Sequence, residues 1–247
     1  ITEGDESEEY GTFDSWFGEA AALWRPSDLI NIQSDFAFHS HRFDIASGKC
    51  DGNCDIPNIA VDQWHAGGIL FARDPMMGLI GIDGAVGGID FGLAADVWRI
   101  GGRGEWFLGD MATIGGGVGY HNLDFGSGKC GGGCELDGIN ANAFVNFYAT
   151  EDLALKAKFD YAKLDFDDED LTIDMWSIGG EAEYLLRDWF GGGSSVFVGG
   201  RYFEQEFENG FTIEQAQFFV GFRSYFVTGG SLANHHRTNT LDNTNTL

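Results

Sequence analysis

Between Phe13 and Phe226, apolar and polar residues alternate in segments of roughly 10 to 15 residues, separated in turn by very short and by longer connections. A period of two puts successive side chains on opposite faces of an extended chain, so each segment reads as a β-strand with one apolar and one polar face. From Asp152 to Leu164 one face carries Leu153, Leu155, Ala157, Phe159 and Tyr161, and the other carries Lys156, Lys158 and Asp160. From Phe211 to Phe226, Ala216, Phe218, Val220, Phe222 and Phe226 stand against Gln215, Gln217, Arg223 and Tyr225. The short connections are Arg25–Asp28, Asp74–Met77, Leu108–Asp110, Thr150–Asp152 and Arg187–Gly193. The longer or more acidic ones fall around 43–59, 91–95, 125–137, 166–170 and 205–210. Such a regular succession predicts an all-β, antiparallel up-and-down barrel with short turns at one end and long loops at the other.

Alternation alone would also suit a soluble β-sandwich. The aromatic residues decide for a membrane. Trp16 and Trp24, Trp98 and Trp106, Trp176 and Tyr184, and Phe218 and Phe226 are each eight residues apart on the apolar face. On tilted strands that spacing covers roughly 20 Å, close to the apolar band of about 25 Å that aromatic girdles border. A sandwich core has no reason to repeat it.

The polar face carries charges of both signs. Glu19, Asp35, Asp83, Glu105, Asp160, Glu181 and Glu183 stand against Arg73, Arg99, Arg103, Lys156, Lys158, Arg201 and Arg223. These residues are expected to line the lumen. A balanced set of charges predicts either a salt-bridged, largely filled interior or a narrow polar pore, because buried charge is tolerated only when paired or hydrated. A wide selective channel would show an excess of one sign.

Eleven spans can be counted. An even number with both ends on one side of the membrane is the habit of bacterial barrels, so about twelve strands are expected. The chain divides into an acidic segment over 1–12, the transmembrane barrel over 13–226 and a polar tail over 227–247.

Composition supports this picture. The 247 residues include 38 Gly and 3 Pro, a glycine density that disfavours long helices. No apolar run is long enough for a helical membrane span. The first residues lack a basic region followed by an apolar stretch, and an export signal is expected to have been removed. The formal charge of −25 argues against a nucleic-acid partner.

Four cysteines form two C-x-x-x-C pairs, Cys50/Cys54 and Cys130/Cys134, inside matching stretches, Phe43-Asp-Ile-Ala-Ser-Gly-Lys-Cys50 and Leu123-Asp-Phe-Gly-Ser-Gly-Lys-Cys130. On long outward loops each pair is read as a small disulfide loop. Pairing between loops, a four-thiolate metal site and redox chemistry remain alternatives for the same residues, although zinc sites favour C-x-x-C spacing.

His39, His41 and His65 fall on the polar face near the loop end of two adjacent strands. They are read first as ordinary polar wall residues and second as a transition-metal site. The acidic stretches Glu3–Glu9 and Asp165–Asp170, with Asp51 and Asp55, lack calcium-loop spacing and read as solvated surface. The Gly115–Gly119 run lies inside an alternating strand, so it is a thin wall and not a nucleotide loop. His121 finds no serine partner by spacing. Neither an enzyme nor a cofactor is expected.

The stretches Phe71-Ala-Arg-Asp-Pro-Met-Met-Gly-Leu-Ile-Gly-Ile82, Arg99-Ile-Gly-Gly-Arg-Gly-Glu-Trp-Phe-Leu-Gly109, Phe147-Tyr-Ala-Thr-Glu-Asp-Leu153 and Gly179-Gly-Glu-Ala-Glu-Tyr184 resemble alphaproteobacterial porin-like outer-membrane proteins. The resemblance runs over roughly Ala60 to Arg237. Val220-Gly-Phe-Arg-Ser-Tyr-Phe226 is similar to the aromatic-ended last strand that the barrel assembly machinery reads. These are strand-turn-strand signatures, and they imply a fold and a bacterial outer-membrane location. The function expected is a narrow, weakly selective passage for small hydrophilic solutes or ions. The alternative is a structural barrel with a salt-bridge-filled lumen acting through its Cys-stapled loops. Outer-membrane lipid is the expected partner, with contact to further copies or a surface assembly through those loops.

Overall fold

A computed structural model describes residues 12–44, 59–90, 94–126, 135–166, 172–187, 193–208, 212–224 and 230–238. They hold eleven strands: β1 Thr12–Trp24, β2 Ile30–Asp44, β3 Ile59–Asp74, β4 Gly78–Asp90, β5 Ala94–Leu108, β6 Ala112–Asp124, β7 Glu135–Tyr148, β8 Leu153–Phe166, β9 Thr172–Leu186, β10 Ser194–Phe207 and β11 Thr212–Ser224. A short helix, α1, follows at Leu232–Thr238. Every strand pairs antiparallel with its sequence neighbours, in the order β1 to β11. The result is one curled up-and-down sheet, and its strands coincide with the eleven spans of the alternating pattern.

Burial falls on the sheet the opposite way from a soluble protein. Along β2, Asn31, Gln33, Asp35 and Ala37 are buried while Ile30, Ile32 and Phe36 are exposed. Along β4, Asp83 is buried while Ile80, Ile82 and Val86 are exposed. The apolar face is thus the outer one and the charged face the inner one. In a water-soluble sheet the apolar face would be covered, so an apolar solvent on the outside accounts for this inversion.

The inner face is filled by large side chains laid across glycines. Phe144 lies over Gly115, Phe197 over Gly221 and Phe219 over Gly199, so closely that a Cβ at any of these glycines would collide with the ring, and a Cβ at Gly81 would collide with the Phe71 Cβ and the Leu70 carbonyl. Two apolar clusters bound the inner face along its length. Ile69, Phe71, Leu79 and Phe107, with Leu23, sit toward the short turns. Val97, Leu123, Leu136, Leu164 and Ile173, with Phe125 and Phe166, sit toward the long loops. The charged residues occupy the wall between them.

Turn chemistry sets the short-turn end. After β3, Asp74 Oδ1 accepts hydrogen bonds from the Met76 and Met77 amides at 2.8 and 3.1 Å, closing a turn that Gly78 leaves with φ 146°. α1 starts where Ser231 Oγ accepts from the Asn234 amide at 3.3 Å, an N-cap, and ends in a basic last turn, His235-His236-Arg237.

The edge strands β1 and β11 both run from the long-loop end to the short-turn end. Among the described residues no register joins them. Phe17, on the inner face of β1, is accordingly 48% exposed. The about twelve strands expected for closure compare with eleven described.

Candidate functional site

All fourteen charged residues expected on the lumen side share the inner face, on β1 to β5 and β8 to β11. Register then sorts them into separate groups along the wall. On β4 and β5, the Arg99 guanidinium donates to Asp83, and Arg103 Nη2 lies 3.0 Å from Glu105 Oε1. On β8 and β10, Asp160 takes Lys158 Nζ at 2.8 Å and Arg201 Nη2 at 3.5 Å, and Ser177 Oγ on β9 donates to Asp160 and accepts from Arg201 Nε. On β9 and β11, Arg223 grips Glu181 with two parallel bonds of 2.6 and 3.0 Å and reaches Glu183 at 2.9 Å. Ser195 Oγ also donates to Glu183. Arg73 and Lys156 lie over the rings of Phe71 and Phe144, at 4.7 and 5.9 Å from the centroids. Glu19 and Asp35 stand with histidines, His39 at 4.0 Å and His65 at 3.8 Å.

Two of the three expected imidazoles therefore face carboxylates on neighbouring wall positions. Position 41 has no described side chain, and among the described residues no group of three His, Cys, Asp or Glu is arranged to hold a metal ion. Cys50, Cys54, Cys130 and Cys134 lie outside the described residues. A pocket of about 30 Å³ beside Asp35, His65, Asp83 and Arg99 is large enough for a water molecule.

The outer face carries a belt of paired rings near the long loops. Trp16 meets Phe38 at 4.8 Å, Trp98 meets Tyr120 at 5.5 Å and Trp176 meets Tyr202 at 5.4 Å between centroids. Each pair joins adjacent strands across the same two-residue diagonal, as uniformly tilted strands dictate. Trp24, Trp106 and Tyr184 mark the short-turn rim, all exposed. Phe226 lies outside the described residues.

α1 is the element that alternation did not reveal in the polar tail. It docks on the inner face at the short-turn end. Leu232 is 0% exposed and packs with Tyr148, Ala154 and Leu185, and its amide donates to the Glu151 carbonyl at 2.8 Å. His236 Nε2 lies 3.0 Å from Glu183, tying the helix to the Arg223 group. Arg237 donates to the Ala112 carbonyl at 2.7 Å and to Thr113 Oγ1 at 3.2 Å, with its guanidinium over the Phe107 and Tyr148 rings. Burial holds the His235 imidazole below its ordinary pKa, and the neighbouring His236 charge adds to that. On the β9–β10 side, hydrogen bonds to Asp152 and Glu151 raise the pKa of Arg187. A cap-forming Ser followed by a basic turn, just after Gly229-Gly230, was the one sequence signal for α1.

α1 covers part of the mouth. Beside it a cavity of about 950 Å³ remains, bordered by Arg25, Arg73, Arg237, Asp28, Asp110 and Glu151.

An apolar outer face with ringed rims, enclosing a charged inner face, defines the wall of a membrane-spanning β-barrel. Among solved structures the chain is similar to OmpT (in-vitro folded), an outer membrane protein of Vibrio cholerae in its trimer form. The TM-score is 0.44 at 12% identity, covering 89% of this chain and 85% of that one. A loop L8 deletion mutant of OmpT gives 0.42 at 13% identity, covering 88% of this chain and 100% of that one. The architecture rests on the register and burial above, independently of these likenesses. No family model matches the chain, and no curated protein matches it.

Proposed function

We propose that this chain is a porin-like barrel of the bacterial outer membrane that gives small hydrophilic solutes or ions a narrow, weakly selective passage. The observation that carries the reading is the inverted burial, with exposed Ile80, Ile82 and Val86 alternating with buried Asp83 on one strand. The paired charges of the inner wall are the groups that would line and shape the path. Their pairing favours weak selectivity, since neither sign is in excess along the wall. On this reading the two Cys pairs close loops at the cell-surface end, and contacts with further copies run through those loops.

Heat-modifiable migration in detergent gels and β-rich circular dichroism are the expected signatures of the folded barrel. Ohmic single-channel conductance in planar bilayers is the expected signature of passage. Its absence from well-folded protein would overturn the passage reading and leave the second one, a structural barrel. That alternative draws its support from the glycine-tucked rings and the two apolar clusters, which thicken the wall where a wide pore would be open.

A further inference from the structure

α1 occupies the part of the short-turn mouth in front of β6 to β9, so solute entering from that end passes through the cavity beside it. Three guanidiniums from three separate elements meet this cavity: Arg25 on the β1–β2 turn, Arg73 on the wall of β3 and Arg237 on α1. Three carboxylates, Asp28, Asp110 and Glu151, border it as well. Arg25 and Asp28 are both exposed on the turn, and the remaining charges differ in depth by sign. Arg73 is 5% exposed and the Arg237 side chain 11%, whereas Asp110 and Glu151 are fully and 77% exposed. Charges in the low-dielectric wall act on a solute far more strongly than carboxylates screened at a wet lip.

The deep guanidiniums are also held in place. Arg237 is fixed by the Ala112 carbonyl and Thr113 beside the Phe107 and Tyr148 rings, with Nη1 3.8 Å from Asp110 at the lip, and the Arg73 guanidinium lies over Phe71 at 4.7 Å from the ring centroid. A fixed guanidinium fork fits carboxylate and phosphate geometry and has no equivalent match for a cation. Asn31, Tyr148 and Asn234 border the cavity and supply neutral donors.

We propose that this vestibule is an anion-selecting site for small oxyanions, solutes bearing a carboxylate or phosphate group, built into a protein whose net charge is −25. The inference rests on the passage reading and adds the class of solute and the residues that choose it.

The test is the reversal potential of the full chain in planar bilayers under a KCl gradient. The wild-type protein passes chloride in modest preference to potassium, and Arg73→Gln with Arg237→Gln lowers the permeability ratio about twofold. Arg25→Gln, on the exposed turn, shifts it less in the same direction. Lys163→Gln, on the outer face, leaves it unchanged. Inorganic phosphate or succinate added at the short-turn side blocks the wild-type current and not that of the double variant. Block by phosphate alone assigns the site to phosphate-bearing solutes, and block by succinate alone to carboxylates. A cation-preferring wild type, an unchanged ratio in both arginine variants, or no block by either anion would overturn the inference. Well-folded protein with no conductance would sink the passage reading by itself. Calorimetric titration of phosphate and succinate into detergent-folded protein then decides: binding lost in the double variant keeps the anion site, and no binding to the wild type removes it.

Discussion

Replacing Leu232 by alanine probes the docking of α1 at its best-packed point. A helix of seven residues has no stability of its own in water, because nucleation is costly and few bonds repay it. Its order therefore depends on what it touches. Leu232 is fully buried against Tyr148, Ala154 and Leu185. Truncating a leucine so enclosed costs about 2.7 kcal/mol at the low end for such sites, which is about a hundredfold in the population of undocked helix. Because β6 to β9 are held by their own ladders, the barrel stays folded and the loss falls on α1 alone. Amide hydrogen exchange reads it directly. The His235 amide, bonded to the Ser231 carbonyl at 3.0 Å, and the Leu232 amide are expected to exchange about a hundredfold faster, with strand amides unaffected. Equal protection of α1 in the wild type and the variant would refute the docking reasoning, as would a collapse of strand protection.

Other outcomes follow from the same geometry. At Gly104, which faces outward, a Cβ would come no closer than 3.7 Å to another heavy atom, so Gly104→Ala is expected to stabilise the barrel by about 0.5 kcal/mol in urea unfolding. Gly221→Ala runs into the Phe197 ring and is expected to destabilise it by about 1–3 kcal/mol; similar effects from both would contradict the tucked-ring packing. Asp124 stands directly opposite both Asp96 and Glu135 on the outer face. Asp124→Asn keeps an acceptor for the Gly126 amide and is expected to gain about 0.5 kcal/mol at low salt, a gain that fades at high salt; destabilisation at low salt would argue against the register. Burial and the neighbouring His236 charge lower the His235 pKa below its ordinary value of 6.5, so the unfolded segment binds the proton more readily than the docked one. Protection of α1 is therefore full above that value and falls as the pH drops below it, and His235→Gln is expected to remove the dependence.

Alternation with period two was enough to place every described strand, because side-chain direction along an extended chain is fixed by the backbone alone. The same parity groups the fourteen charged residues on one face, where the register also puts them together. Which charges meet was a different matter, since partners such as Arg223 and Glu181 are far apart in sequence and are joined through β10 by register. Register also creates the opposed acids Asp62 and Asp90, and Glu204 and Glu214, at the loop end of the outer face. Nothing in a linear pattern shows that Phe144 needs a glycine at 115 or Phe197 one at 221. α1 escaped because its helix is made by docking and by the Ser231 cap; its own residues, Leu-Ala-Asn-His-His-Arg-Thr, carry no amphipathic repeat.

The account depends most on the apolar face being the one that meets lipid. Spin labels placed one at a time along β4 at 79, 80, 82, 83, 84, 85 and 86, in a cysteine-free background reconstituted into vesicles, test this through collision with lipid-soluble oxygen and a water-soluble nickel complex. Oxygen accessibility is expected to alternate with period two, high at 80, 82, 84 and 86 and low at 79, 83 and 85. An alternation of opposite phase, or uniform access of the nickel complex to 80, 82 and 86, would contradict a membrane-spanning barrel.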